Sequence, residues 1–226
     1  MKREFLTTGD GSITIHLPDW NEQYHSKHGA IAEAVHVFIK TGLTHWLSKN
    51  KSSRVSILEI GFGTGLNAFL TSLESTKKDL QLNYSGIEAY PISDEEIKQL
   101  NYASLLDSSQ EAFLKLHQTS WGAPSEISQN FTLTKREEFF SAVKDIELYN
   151  IIYFDAFGAR VQPELWTETV FKQMFDSLKP NGVLVTYSAK GSVRRAMHAV
   201  GFVVERLPGP PGKREMLRAT KHSSTH

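Results

Sequence analysis

Three acidic residues close apolar runs along this chain: Glu59 after Val55-Ser56-Ile57-Leu58, Glu88 after Leu82 to Ile87, and Asp155 after Tyr149 to Phe154. A glycine-rich turn, Gly61-Phe62-Gly63-Thr64-Gly65, follows the first acid directly. Beyond it Leu66, Phe69, Leu70 and Leu73 repeat at helical spacing. Strand, glycine turn and helix open a nucleotide-binding α/β unit, and the glycines let backbone approach a ligand at positive φ. A dinucleotide fingerprint would need glycine at 66, where Leu66 stands, and no Gly-Lys-Ser/Thr makes a Walker loop. An acid at the strand end opposes a pyrophosphate and suits a ligand carrying a cationic amino group. Glu88 lies one βα unit further on, where an acid accepts hydrogen bonds from both ribose hydroxyls. The plainer alternatives are a turn that only packs a helix on a strand, a solvent-facing Glu88, and an Asp155 that caps the loop after it.

The elements that carry these residues alternate. Residues 1 to 20 read as a β-hairpin around Gly9-Asp10-Gly11, and residues 21 to 30 as an irregular loop suited to cover a ligand. His25 and His28 lack a third ligand at a supporting spacing, so no metal site is expected. Ala30 to Trp46 is an amphipathic helix. Strands are expected over 55–60, 80–88, 131–134, 149–155, 183–187, 202–206 and 215–219. Helices are expected from Leu66, over 93–118 with a break near Asp107-Ser108-Ser109, from Lys135, over the stretch ending near Leu178, and over 193–200 with Gly201 as terminator. Trp121 to Pro124 reads as a loop, Lys179 to Gly182 as a tight turn, and Pro208 to Gly212 as a rigid loop. The sum is an α/β fold: an open, mostly parallel Rossmann-like sheet with a terminal antiparallel hairpin. Residues 1–50 form an N-terminal extension packed on a core domain of residues 51–226. In such sheets ligands sit beyond the carboxyl ends of the strands, which is where the three acids should converge.

The 226 residues suffice for one core. The chain has no cysteine, which excludes disulfides, thiolate metal sites and a cysteine nucleophile. It lacks a signal peptide and a run long enough to span a membrane, so a cytoplasmic location is the default. Formal net charge is zero, but the last third is basic and the first two thirds acidic. Such a face can meet a polyanion or simply solvent.

The Glu59 to Gly65 pattern resembles motif I of the class I S-adenosylmethionine-dependent methyltransferases. A narrower resemblance rests on Tyr24-His25-Ser26 with Gly29 and Glu33, on Gly61 to Asn67, on Asp155-Ala156-Phe157 with Pro163, Glu164 and Trp166, and on Gly212 to Leu217. Together these are similar to the methyltransferase part of the bifunctional bacterial tRNA wobble-uridine enzymes that make 5-methylaminomethyl-2-thiouridine. The resemblance covers roughly the whole chain. It implies methyl transfer from S-adenosylmethionine to the amine of 5-aminomethyl-(2-thio)uridine 34, with the tRNA anticodon stem-loop as partner; the chain shows no second glycine fingerprint, so no fused flavin oxidase domain is expected. It implies a cofactor site of Tyr24, Glu59, Gly61, Gly63, Gly65, Asn67, Glu88 and Asp155. Asp155 would orient the amine and take its proton, and Phe157 would stack on the flipped uracil. Arg160, Arg194, Arg195, Lys213 and Arg214 would contact phosphates. Two positions depart from the family: Val161-Gln162 replaces the usual Lys-Asn, and the adenine-reading acid is displaced, with Glu137 nearest. The other readings are a methyltransferase or aminopropyltransferase acting on a small amine, and a binding module without catalysis.

Overall fold

A computed structural model describes residues 2–223. Strands β1 (Glu4–Thr7), β2 (Ile13–Leu17) and β3 (Glu22–Gln23) make a small antiparallel sheet. Helix α1 (Ala30–Ala34) runs on through a π-helix (Val35–Thr44) into α2 (His45–Lys49). Then follow β4 (Arg54–Ile60), α3 (Leu66–Lys78), β5 (Gln81–Glu88), α4 (Asp94–Ile97), α5 (Tyr102–Leu105), α6 (Gln110–Gln118), β6 (Pro124–Ser128) and β7 (Phe131–Glu137). The last part holds β8 (Tyr149–Phe154), α7 (Glu168–Ser177), β9 (Leu178–Thr186), α8 (Gly191–Ala199), β10 (Val203–Pro208) and β11 (Glu215–Thr220).

The main sheet has the order β10-β11-β9-β8-β4-β5-β7-β6. Pairs β9-β8, β8-β4, β4-β5 and β5-β7 are parallel, and the outer pairs are antiparallel. Strand order reverses between β4 and β8, so the ends of these two strands flank the crevice that the topology creates. Their residues alternate between two apolar layers, as period-two side chains must when both faces are covered. Ile57, Ile151, Tyr153 and Val185 face a layer that includes Phe38, Phe69, Phe113 and the extension's Ile15 and Leu17. Leu58, Ile152, Phe154 and Leu184 face Phe171 and Met174 of α7 and Val193 and Met197 of α8.

Five local expectations change. The N-terminal helix reaches Lys49, and its middle is wound as a π-helix, in which the Thr41 hydroxyl donates to the His36 carbonyl at 2.8 Å. Gly42 lets this segment lie on the sheet: a Cβ there would stand 3.0 Å from Val185 and 3.2 Å from Tyr153. Residues 93–118 break twice, at 98–101 as well as near Asp107, whose φ is +50°. The Ser93–Glu96 capping box closes the start of α4. The expected loop at 121–124 leads into a strand not foreseen, β6. Lys135 begins no helix; β7 continues through Glu137, and Lys135 is buried, donating to the His117 carbonyl at 2.5 Å. The expected turn at 179–182 is absorbed as an irregularity in β9, with Asn181 at φ +62°.

Candidate active site

The glycine turn is stitched to its neighbours by backbone. Gly61 and Phe62 N–H donate to the Ile87 carbonyl at 3.1 and 2.9 Å, and Asp155 N–H donates to the Ile60 carbonyl at 2.9 Å. Gly61 stands at φ +92°, and a Cβ there would fall 2.7 Å from the Asp155 carbonyl, so no side chain fits. Gly63 (φ +50°) faces the Tyr24 ring in the same way, at 3.1 Å. Phe62 folds back over Gly86 of β5, where a Cβ would collide with its ring.

Two cavities open above these strand ends. The larger, of about 940 Å³, is lined by Gly61, Gly63, Asn67, Glu88, Glu137 and Asp155 among others. The smaller, of about 240 Å³, includes Glu22, Glu33, Tyr187 and Lys213. Tyr24, His25, Asp155, Ala156 and Phe157 line both. The Tyr24 ring meets Phe157 edge-on at 5.0 Å, and Trp20 meets Phe157 edge-on at 5.7 Å.

Asp155 is held from beneath. The Asn67 Nδ2 donates to Asp155 Oδ2 at 2.9 Å and to Glu59 Oε1 at 2.8 Å, and the Tyr84 hydroxyl donates to Glu59 Oε2 at 2.8 Å. Burial pushes the Asp155 carboxyl up to about 7, and the nearby Glu33 carboxylate adds to this. The Asn67 hydrogen bond and the Lys213 cation pull it back. Burial also drives Glu59 well above the ordinary carboxylate range. Burial raises the Tyr24 phenol to about 12 and lowers the His25 imidazole to about 4, so both are neutral near pH 7. The loop after Asp155 is pinned twice: the Tyr187 hydroxyl donates to the Ala156 carbonyl and Trp166 Nε1 donates to the Phe157 carbonyl, each at 2.8 Å.

Several residues take places the sequence reading did not assign. Glu59 is fully buried and lies on neither cavity wall; its part is to brace Asn67, and through it Asp155. Gly65 is the N-cap of α3 in left-handed conformation, set behind the wall. Glu88 accepts from Gly63 N–H at 3.0 Å and Tyr90 N–H at 2.9 Å, one bond per oxygen, which leaves a lone pair on each. Arg160 faces the chain itself, donating to the Trp20 and Asn21 carbonyls and pairing with Glu22 at 3.1 Å. One guanidinium nitrogen, Nη2, straps the 20–22 segment, while the side chain stays half exposed. Lys213 is likewise no free surface cation: it pairs with Glu33 at 2.6 Å. Arg194 and Arg195 on α8 and the exposed Arg214 line neither cavity. Gln162, at a position where the chain departs from its look-alikes, lies on the larger wall. Tyr187 received no role from the sequence, although it directly follows β9, where the strand-end rule would have found it.

Residues 105–222 match the model of the S-adenosyl-L-methionine-dependent methyltransferase family, just over half the chain, and the chain belongs to that family. It is 31% identical to the tRNA 5-methylaminomethyl-2-thiouridine biosynthesis bifunctional protein MnmC of Cupriavidus metallidurans over 96% of its length, covering 33% of that protein. The MnmC of a Marinomonas species is 30% identical over 93% of the chain, again covering 33% of the relative. The chain thus spans about a third of the length of the curated relatives it matches. Among solved structures, MnmC2 from Aquifex aeolicus shares the fold with a TM-score of 0.79 at 24% identity, covering 98% of this chain and 71% of that one. Spermidine synthase from Thermotoga maritima shares it more distantly, with a TM-score of 0.52 at 10% identity over 98% of this chain and 72% of that one.

The cofactor is S-adenosylmethionine, and the larger cavity fits it. Its volume lies in the range of small-molecule sites. Asn67 Oδ1 is buried on the wall without a partner among the described residues, the glycine turn leaves room for close backbone approach, and Glu88 retains acceptor capacity for a pair of hydroxyls.

Proposed function

We propose that this chain methylates the 5-aminomethyl group of (2-thio)uridine 34 in tRNA, giving 5-methylaminomethyl-(2-thio)uridine. The observation that carries the reading is the placement of Asp155 on the wall common to both cavities, with its carboxyl poised near neutrality. The names of the MnmC relatives supply the acceptor. In this reading Tyr24, Gly61, Gly63, Asn67 and Glu88 hold the cofactor in the larger cavity, and Glu59 and Gly65 shape that site from behind. The amine enters the smaller cavity.

S-adenosylmethionine supplies, when bound, a methyl group on a sulfonium, open to in-line displacement by a neutral amine. An alkylamine has a pKa of about 10, so it arrives as an ammonium. The Asp155 carboxylate accepts a hydrogen bond from that ammonium, aims its nitrogen at the larger cavity and takes the proton. A carboxyl near 7 is a better proton acceptor than an ordinary aspartate near 4. Tyr24 and Phe157 exclude water from the passage, and Phe157 offers an aromatic ring to the uracil. Arg194, Arg195 and Arg214 are the cations left to meet phosphates outside the cavities. Arg160 and Lys213 each already carry an ion pair within the chain, which leaves them less free to join that set.

The test incubates the protein with methyl-labelled S-adenosylmethionine and tRNA bearing 5-aminomethyluridine at position 34, followed by nucleoside mass spectrometry. One added methyl on the wobble nucleoside is the expected result. Labelling of free small amines with none on the tRNA would replace this reading with a small-molecule one.

A further inference from the structure

Beside the groups already assigned, the smaller cavity holds an ion pair with no role so far. Lys213 Nζ stands 2.6 Å from Glu33 Oε1, and Glu33 Oε2 accepts the Ser26 N–H at 2.7 Å. Glu33 belongs to α1 and is 7% exposed; Lys213 belongs to the loop between β10 and β11. The same ammonium lies 3.8 Å from the centre of the Tyr187 ring, and the Tyr187 hydroxyl holds the Ala156 carbonyl. The pair therefore reaches the residue that follows Asp155 through one aromatic ring. Its own anchorage is stiff. Pro208 closes β10, the loop carries Pro210 and Pro211, and Gly212, at φ +83°, sits so close under His28 that a Cβ would collide with that ring.

We propose that Glu33 and Lys213 are a positioning pair for Asp155, bracing its loop from the acceptor side and setting the charge balance that this carboxylate meets there. The proposal rests on the methyl-transfer reading for its purpose, though not for its geometry. The charged and titratable groups that share the two cavities with Asp155, or pack beneath it, come from several elements; Arg3, Tyr90, Glu137 and Glu164 stand on the larger wall. Glu59 comes from β4, Glu33 from α1 and Lys213 from the β10–β11 loop. Tyr187 follows β9, Glu88 ends β5, and Glu22, Tyr24, His25, Lys27 and His28 come from β3 and the loop after it. Of these, Glu33 and Lys213 act on Asp155 with opposite sign. A second carboxylate makes Asp155 hold a proton more tightly, and a cation makes it give the proton up. Together they keep it basic enough to accept a proton and ionised enough to begin the cycle.

Opposite signs from two halves of one ion pair give a test that a merely structural role would not pass. Asp155 is titrated by 13Cγ-aspartate NMR in the full chain without any acceptor, and Asp155→Asn identifies its signal. The midpoint should fall by roughly half a unit or more in Glu33→Gln and rise by a similar amount in Lys213→Met. Lys213→Arg, which restores a cation able to stack on Tyr187, should return it to near the wild-type value. Midpoints that stay put, or that move the same way in both variants, overturn the proposal. Glu33→Gln decides it alone if Lys213→Met does not fold. The acid limb of the methyl-transfer pH profile should move with the same signs. No acceptor is present in the titration, so failure of the wild-type protein to methylate tRNA would remove the functional reading and leave this one to the midpoints.

Discussion

Asn67→Ala is the sharpest perturbation of this site. One amide nitrogen donates to two carboxyls, Glu59 at 2.8 Å and Asp155 at 2.9 Å, from a side chain on a residue only 3% exposed. The bond to Asp155 is one of two influences that hold its carboxyl down to about 7 against burial and Glu33. A hydrogen bond to a charged group is worth about 1.5–3 kcal/mol, and one pKa unit corresponds to about 1.4 kcal/mol. Losing the bond should therefore raise Asp155 by roughly one to two units. At pH 7 its ionised fraction would drop from about a half to between about a tenth and a hundredth. Methyl transfer at pH 7 should slow about 5- to 50-fold, with the acid limb of the profile displaced by the same one to two units. The assay is the single-turnover rate from pH 6 to 9.5 at saturating cofactor and tRNA. Saturation keeps any weakening of cofactor binding out of the rate. A loss of equal size at every pH would refute the reasoning, because it would mean that Asn67 acts on something other than the ionisation of Asp155.

Other predictions concern the remaining groups. Asp155→Ala should bind S-adenosylmethionine within a few-fold of wild type by calorimetry and lose about 10²–10⁴ in rate; retained turnover would take Asp155 out of the mechanism. Glu88→Ala should weaken cofactor binding by about 10- to 100-fold through lost hydroxyl contacts, and an unchanged Kd would relocate the ribose. His117 is held down to about 4 by burial, so as pH falls from about 6.5 to 4 the unfolded chain gains a proton that the folded chain refuses, and stability is lost. His117→Gln should flatten urea-derived stability in that window by about 1.4 kcal/mol per pH unit, and an unaltered slope would mean that the ring titrates freely. Asp155 works in the opposite direction, stabilising the fold fully below about 4 and ceasing to do so as pH rises through about 7. Alanine at Arg194, Arg195 and Arg214 together should shallow the salt dependence of tRNA affinity by a little under one log unit per lost phosphate contact; an unmoved slope would exclude that face.

Much of the fold was legible because its signals are local. Apolar runs ending in acids and the glycine turn locate β4, β5 and β8, and period-two burial on both faces of β8 follows from an unbroken apolar stretch. The misread segments are those where a distant partner decides. Lys135 looks like a helix opening beside Arg136, Glu137 and Glu138, yet β7 runs on there in register with β5, pairing Glu88 with Glu137. Its ammonium is accommodated by the His117 carbonyl and the Trp121 ring, neither of which is near it in sequence. β6 is an edge strand of mixed composition whose pairing with β7 supplies most of its definition. At the site, the resemblance offered Lys213 and Arg160 as phosphate ligands, and nothing local in the sequence shows that each also pairs within the chain. Their partners, Glu33 and Glu22, lie 180 and 138 residues away.

The sequence by itself determined the class of ligand and the residues that could handle it. A glycine turn after a strand lets backbone approach a ligand closely, Leu66 in place of glycine argues against a dinucleotide, and the resemblance to methyltransferase motif I supplied S-adenosylmethionine. Only the tertiary structure decided how the three acids divide their work. Glu59 sank beneath the wall, Glu88 turned to the larger cavity, and Asp155 came to stand between two cavities with a carboxyl near 7. Burial and neighbouring charge set these differences, and both are sums over groups that the chain brings together only when it folds.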